Sequence, residues 1–246
     1  MQQVFIDEGQ LNKDEVILTG QDAKHLAQVI RIRVGEVIRV SVSSGRNYLA
    51  TVSQVSNDMV VARITEEAGD TELSQKIYLF QALPKGSRME TIIEKCVELG
   101  VYEIIPVEMK YCVVKLDAKK KKNKVGRYQA IAEAAGKQSG RGIIPEVGAY
   151  MSFKDAIEDA KRLDTFLFPY ENAKGMDFAR GVIAKLQSGD TKTVGIMIGP
   201  EGGFSDEEVK AAEDAGATVL SLGNRILRTE TAGLCALSII GFAIDK

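Results

Sequence analysis

The residues best placed to do chemistry lie in two short runs near the end of the chain. The first, IMIGPEGGFSDEE from Ile196 to Glu208, breaks an apolar stretch with Gly199, Pro200, Gly202 and Gly203 and carries the acid Glu201 at its tip. The second, LSLGNRILRTETAG from Leu220 to Gly233, gathers Arg225, Arg228, Thr229, Glu230 and Thr231 immediately before an apolar run. Glycines let backbone approach a ligand closely and adopt positive φ. Neither the phosphate-loop spacing nor the dinucleotide fingerprint is present, the proline removes an N–H, and Glu201 disfavours an anion. Glu201 instead suits a cationic or hydrogen-bond-donating group. A third loop follows FLFPYE, with Pro169 just past Phe168. A plain strand-to-helix turn would explain either glycine loop alone; three such strand ends can converge at one edge of a parallel sheet, where open α/β folds bind ligands.

The elements that must position these loops follow from the rhythm of the chain. From Val4 to about Ile64 the apolar residues alternate, and Gly45 and Asn57-Asp58 fall between alternating runs, which predicts hairpins in a small β-barrel or curled sheet. One helix interrupts it, with Asp22 as its N-cap and Leu26, Val29 and Ile30 at helical spacing. The polar stretch Thr65 to Gln75 reads as a linker. Beyond it, strands and helices alternate: KIYLFQAL, then METIIEKCVELG with Ile92, Ile93, Cys96, Val97 and Leu99 near one face and Gly100 as its stop. A later helix spans about Arg127 to Gln138, and Ser205 with Glu208 forms a capping box opening another. Strands separated by helices imply parallel pairing with crossover helices on both faces. The closing helix is apolar nearly all round, which requires burial by a partner helix or by the chain's own core.

Composition bounds the function. With 246 residues, 45% of them apolar and 27% charged, the chain can bury a full core as one large domain or two small ones. A net charge of −2 gives no general attraction to nucleic acid, so RNA binding has to come from local basic surfaces. The opening MQQVFIDEGQ lacks a signal-peptide pattern, and no apolar stretch approaches the roughly 18 residues of a membrane span, which places the protein in the cytosol. Cys96, Cys112 and Cys235 lack metal or disulfide spacing and read as buried thiols. His25, the single histidine, reads as structural.

IGPEGGFS and LGNRILRTETA, preceded by QALPKGSRMETIIEKCVELGV, strongly resemble the RsmE family, bacterial 16S ribosomal RNA uridine-N3 methyltransferases of the SPOUT superfamily. The resemblance covers almost the whole chain, and HLAQVIRIRVGE looks like part of that family's PUA-like domain. It implies an α/β fold: a C-terminal trefoil-knotted SPOUT methyltransferase domain over residues 74–246, an N-terminal PUA-like RNA-binding β-barrel over residues 1–70, and a homodimer through the knotted domain. It further implies S-adenosyl-L-methionine (SAM) as cofactor and 16S rRNA in the small (30S) ribosomal subunit as partner; no metal is expected, because a methyl leaving a sulfonium needs none and the sequence offers no ligand cluster for one, and no membrane, because no apolar span is present. Carried over by position, the cofactor-binding residues are Phe168, Pro169, Gly199, Pro200, Glu201, Gly202, Gly203, Leu222, Gly223, Ile226, Leu227 and Thr231.

Methylation at uridine N3 requires loss of a proton, so a base or a cation stabilising the uridine anion is expected. Arg228 suits the cation, with Glu230 or Glu201 as base; Glu201 alternatively faces the cofactor's positive end or steers substrate. The RNA-binding candidates are Arg31, Arg33, Lys85, Arg88, Gln138, Ser139 and Arg141. KLDAKKKKNKVGRYQ, with Lys119 to Lys122 at its centre, is either a solvated loop or a set of phosphate contacts. Gly136, Gly140 and Gly142 depart from the family pattern and are expected to loosen the turn around them. Two rival functions remain at this level: a non-catalytic RNA-binding or ribosome-assembly factor, and a SPOUT methyltransferase acting on another RNA or atom.

Overall fold

The computed structural model describes residues 1–173 and 175–245. The chain divides into two compact units, Met1–Glu72 with Gly140–Ile144, and Leu73–Ser139 with Pro145–Lys246.

The first unit is a six-stranded sheet of β1 (Gln2–Ile6), β2 (Leu11–Asn12), β3 (Glu15–Thr19), β4 (Val37–Val42), β5 (Asn47–Val55) and β6 (Met59–Glu67), in the order β1-β4-β5-β6-β3-β2. The two predicted hairpins are present: Gly45 takes a φ of 90° between β4 and β5, and Ser56 N–H bonds Met59 O across the β5–β6 turn. Period-two alternation places Val16, Leu18, Ile38, Val40, Ala50, Val52, Val60 and Ala62 in one apolar core. The helical segment, whose first part is α1 (Gly20–Lys24), begins at Gly20 after Thr19, so Asp22 sits inside the first turn instead of capping it. It ends at Arg31, whose φ of 58° reverses the chain. His25 is exposed on this segment and plays no part in the core.

A five-residue piece, Gly140–Ile144, belongs to this unit although it lies beyond residue 74. Its glycines tighten the connection they were expected to loosen. Gly142 N–H bonds Thr71 Oγ1 at 2.8 Å and Glu72 Oε1 at 2.9 Å, and a Cβ on Gly142 would stand 2.7 Å from Asn47 Nδ2. Arg141 is buried, its Nε 3.0 Å from the Glu72 carboxylate and its guanidinium forked onto the same group. The buried pair needs both members, since a lone charge in that position would be strongly unfavourable.

The second unit is built on a sheet whose pairings are all parallel, ordered β10-β8-β7-β12-β11-β13 with β9 also on β8. Its strands are β7 (Lys76–Ala82), β8 (Glu103–Glu108), β9 (Glu146–Val147), β10 (Met151–Ser152), β11 (Thr165–Pro169), β12 (Thr193–Ile198) and β13 (Thr218–Leu220). A parallel sheet needs cover on both faces, and alternation along the strands supplies two apolar surfaces. Ile77, Leu79, Leu167, Val194, Ile196 and Ile198 face the layer of α2 (Arg88–Glu98), α3 (Ala118–Ser139), α5 (Met176–Leu186) and α7 (Thr229–Ile244). Tyr78, Phe80, Phe166, Phe168 and Met197 face α4 (Phe153–Ala160) and α6 (Asp206–Asp214). Cys96 and Cys112 are buried, and burial pushes both thiols up. α3 is longer than its periodicity suggested, because the lysine run, rich in helix-forming residues, makes its first turns. Among the described residues no helix is long and apolar enough to cross a membrane.

Gly195 in β12 shows how tightly the second face is packed. A Cβ there would lie 2.7 Å from Leu163 Cδ1 and 3.1 Å from Phe166 Cδ2, beneath an aromatic row in which Phe80, Phe166 and Phe168 meet edge to face. Gly195→Val is expected to lower unfolding free energy by about 1–3 kcal/mol through overpacking, read by denaturant titration. An unchanged midpoint would show that the row can open at no cost.

Candidate active site

A cleft of about 640 Å³ opens where β11, β12 and β13 end. Their parallel register brings the three strand ends together: Leu167 pairs with Ile196 on one side, and Leu167, Phe168 and Pro169 with Thr218, Val219 and Leu220 on the other. Tyr170 N–H bonds Leu220 O at 2.9 Å and prolongs the pairing to the rim.

The first wall is the glycine turn. Gly203 N–H bonds Pro200 O at 3.0 Å, and the φ of 72° at Gly203 is open to glycine at little cost. Gly199 and Gly202 are required by space: a Cβ on Gly199 would stand 3.1 Å from the Phe204 ring, and one on Gly202 would stand 3.1 Å from Tyr111 Cβ. The close approach these glycines permit is thus partly to the protein's own aromatic residues. Phe204 in turn packs on Phe168, ring centroids 4.1 Å apart. Behind the turn the predicted capping box is formed, Ser205 N–H to Glu208 Oε2 at 2.9 Å and Glu208 N–H to Ser205 Oγ at 3.3 Å. The free oxygen of Glu208 accepts from Lys110 N–H at 2.9 Å, so the cap also ties α6 to the end of β8.

The second wall runs from Ser221 to Glu230. Ser221 Oγ accepts from Gly223 N–H at 3.2 Å, and Gly223 takes a φ of 124°. Ile226, 85% exposed, stands at the lip with Arg225 and Arg228, also exposed. Arg228 supplies the N-terminal cap of α7 through its backbone, its carbonyl accepting from Thr231 and Ala232. Thr229 is buried and its hydroxyl donates to Gly199 O at 2.7 Å, joining the two walls.

Charge inside the cleft is organised by Arg88, at the start of α2. Its Nη1 lies 2.7 Å from Glu201 Oε1 and its Nε 3.5 Å from Glu230 Oε1. Glu201 Oε1 also accepts from Lys85 N–H at 2.9 Å. Burial works to raise the Glu201 carboxyl, yet the backbone N–H groups of Lys85 and Glu201 itself and the charges of Arg88 and Lys85 outweigh it, and the group is held below the usual carboxylate range. Glu201 is therefore an ionised anchor with weakened basicity. Glu230 differs: its Oε2 is buried and has no hydrogen-bond partner.

Of the residues expected to hold the cofactor, Pro169, Gly199, Pro200, Glu201, Gly202, Gly203, Leu222, Gly223, Ile226 and Leu227 all line this cleft, as do Arg228 and Glu230. Phe168 and Thr231 do not. Phe168 points into the opposite core to support Phe204, and Thr231 faces solvent on the first turn of α7. The expected RNA contacts are dispersed. Arg31 and Arg33 are exposed on the first unit, Lys85, Gln138 and Ser139 on the second. Arg88 belongs to the cleft, and Arg141 is buried against Glu72, where an RNA phosphate could engage it only by displacing that carboxylate. Sequence reasoning missed Gln81, fully buried at the end of β7, whose amide reaches Thr229; a lone amide in the apolar strand KIYLFQAL was the available signal. Arg88 gave no signal separating a cleft residue from a surface one.

Residues 71–241 match the RNA methyltransferase domain family and residues 18–65 the RNA methyltransferase PUA domain. The chain is similar to ribosomal RNA small subunit methyltransferase E of Bacillus subtilis, 33% identical over 255 residues that cover 100% of this chain and 98% of that protein. The protein of the same name from Mesomycoplasma hyopneumoniae is 33% identical over 97% of this chain and 98% of its own length. A crystal structure of the Neisseria gonorrhoeae ribosomal RNA small subunit methyltransferase E bound to S-adenosyl methionine superposes with a TM-score of 0.82 at 31% identity, over 97% of this chain and 95% of that one. On this full-length likeness, and with its cleft at the joined ends of β11, β12 and β13, the chain belongs to the ribosomal RNA small subunit methyltransferase E (RsmE) family of RNA methyltransferases.

Proposed function

We propose that this protein transfers a methyl group from SAM to N3 of a specific uridine in 16S rRNA, acting in the cytoplasm on the assembled small subunit as a homodimer. The observation that carries the reading is the cleft formed by the glycine turn and the Ser221–Glu230 wall in a chain of the RsmE family. Its size and lining suit the cofactor. About 640 Å³ falls within the range of small-ligand sites, Pro169, Leu222, Ile226 and Leu227 offer apolar contact to a purine, and the carboxylates of Glu201 and Glu230 suit a sulfonium cation. When bound, the cofactor supplies an electrophilic methyl group. The strand order, with β12 between β7 and β11 and β11 between β12 and β13, supports assignment of the second unit to the trefoil-knotted SPOUT class.

The protein's own residues then have to prepare the acceptor. N3 of uridine carries a proton and its lone pair is delocalised over the two carbonyls, so nucleophilicity appears as the proton leaves. Glu230 is assigned as the base: Glu201 is held by Lys85 N–H at 2.9 Å and Arg88 Nη1 at 2.7 Å, whereas Arg88 reaches Glu230 only at 3.5 Å. Arg228, exposed at the lip directly before α7, stabilises charge developing on the uracil oxygens. Exposed Arg31, Arg33, Lys85, Gln138 and Ser139 supply RNA contacts.

The direct test is methyl transfer from labelled SAM to small subunits lacking the modification, beside naked 16S rRNA and transfer RNA, with nucleoside analysis. The expected product is 3-methyluridine from the subunit alone; label in another nucleoside overturns the acceptor atom, and absence of SAM binding favours a non-catalytic assembly factor. Glu230→Gln is expected to lower kcat by about 10²–10⁴, and Arg228→Ala by about 10²–10³, whereas Glu201→Gln acts mainly on cofactor affinity. Single-turnover rates at saturating SAM separate these, and unchanged turnover in either of the first two variants removes that residue from the mechanism. For the dimer, α7 leaves Phe242 93% exposed and Ile239 38% exposed. Phe242→Lys is expected to shift the mass read by light scattering from dimer to monomer, and a wild-type monomer would refute the assembly.

A further inference from the structure

Gln81 is fully buried at the C-terminal end of β7, where it pairs in register with Ile198 of β12, the residue before Gly199. Its amide nitrogen spends both protons locally, one on Ala82 O at 3.0 Å and one on Thr229 Oγ1 at 2.9 Å. Thr229 Oγ1 sends its single proton to Gly199 O at 2.7 Å. The direction of this relay is set by chemistry: a carbonyl can only accept, so the hydroxyl must donate to Gly199 and accept from Gln81, and the amide must present nitrogen to the threonine. One group remains outside the relay. Gln81 Oε1 is buried without a hydrogen-bond partner, on the side where Gly233 of α7 has no side chain; a Cβ there would lie 3.5 Å from it.

An unpaired buried carbonyl oxygen is costly, and an aliphatic side chain in β7 would avoid the cost. Its presence is better explained by what the amide nitrogen holds than by packing. Gly199 precedes Pro200, which has no N–H, so backbone hydrogen bonding from the proline cannot fix how the turn leaves β12. The Gly199 peptide is instead clamped from two sides, by the Phe204 ring against its α-carbon and by the Thr229 hydroxyl on its oxygen. Thr229 is flanked by Arg228 and Glu230 in the chain. The same hydroxyl therefore sets the glycine turn relative to the start of α7.

We infer that Gln81 and Thr229 are positioning residues whose directional hydrogen bonds couple the glycine turn to the Arg228–Glu230 segment, so that cofactor affinity and turnover depend on one buried hydroxyl. The inference rests on the reading of the cleft as a SAM site. Thr229→Val keeps the shape and removes the hydroxyl; Gln81→Met keeps the length and removes the donor. Both are expected to stay folded, to weaken SAM binding at least tenfold by calorimetry, and to lower kcat on small subunits at saturating SAM while KM for the subunit stays within twofold. Thr229→Ser restores the hydroxyl and is expected to recover most of the lost affinity. SAM affinity and kcat in Thr229→Val and Gln81→Met equal to wild type would overturn the relay. So would a loss in Thr229→Ser as large as in Thr229→Val, or losses that simply follow a fall in melting temperature. Failure of the underlying reading is separable, because wild-type protein would then bind no SAM; that result overturns both.

Discussion

The pairing of β7 with β12 is the constraint on which the rest of the second unit depends. Six consecutive residues of each strand lie in parallel register, from Lys76 with Thr193 to Gln81 with Ile198, although more than a hundred positions separate them in the chain. Parallel strands need crossover connections, and the helices that make them must cover both faces because strands alternate their apolar residues between the two sides. Once β12 is seated beside β7, β11 takes its other edge and β13 the edge beyond. The ends of β11, β12 and β13, with the polar loops that follow them, are thereby delivered to one place, beside the start of α2 and its Arg88.

Rigidity in that place comes from saturation of local contacts. The glycine turn is held by its internal hydrogen bond, by Phe204 and Tyr111 pressed against two of its glycines, and by a capping box whose acid also bonds the end of β8. These glycines answer to different requirements, a positive φ at Gly203 and empty space at Gly199 and Gly202. A site that binds a flexible cofactor gains from a wall already in its bound shape, since less ordering remains to be done on binding.

The charges in the cleft are arranged as an asymmetric pair. Arg88 and a backbone N–H both engage Glu201 Oε1, while Glu230 receives the longer contact from Arg88 Nε and retains a buried oxygen with no partner. Two carboxylates on one cation are thus differentiated by geometry, which is how one protein environment assigns distinct tasks to chemically identical groups.

Much of this was legible in the sequence. The switch from period-two runs to alternating strands and helices, the capping box at Ser205 and Glu208, and the three polar strand ends all depend on residues near one another in the chain, where local propensity and periodicity carry the information. The motif resemblance added the family, which periodicity alone does not contain. What only the tertiary structure decided were relations between distant residues of similar local appearance. Arg88 and Arg141 both read as surface cations, yet one organises the cleft and the other is buried against Glu72. Lysines that read as a solvated loop or a set of phosphate contacts form the first turns of α3, Phe168 backs the glycine turn from the far side of the sheet, and Gln81, a lone amide in an apolar strand, meets Thr229. Residues 81, 88, 199 and 229 become neighbours only through β7–β12 pairing, because long-range register is a property of the packed sheet and leaves no mark on the residues beside each of them in the chain.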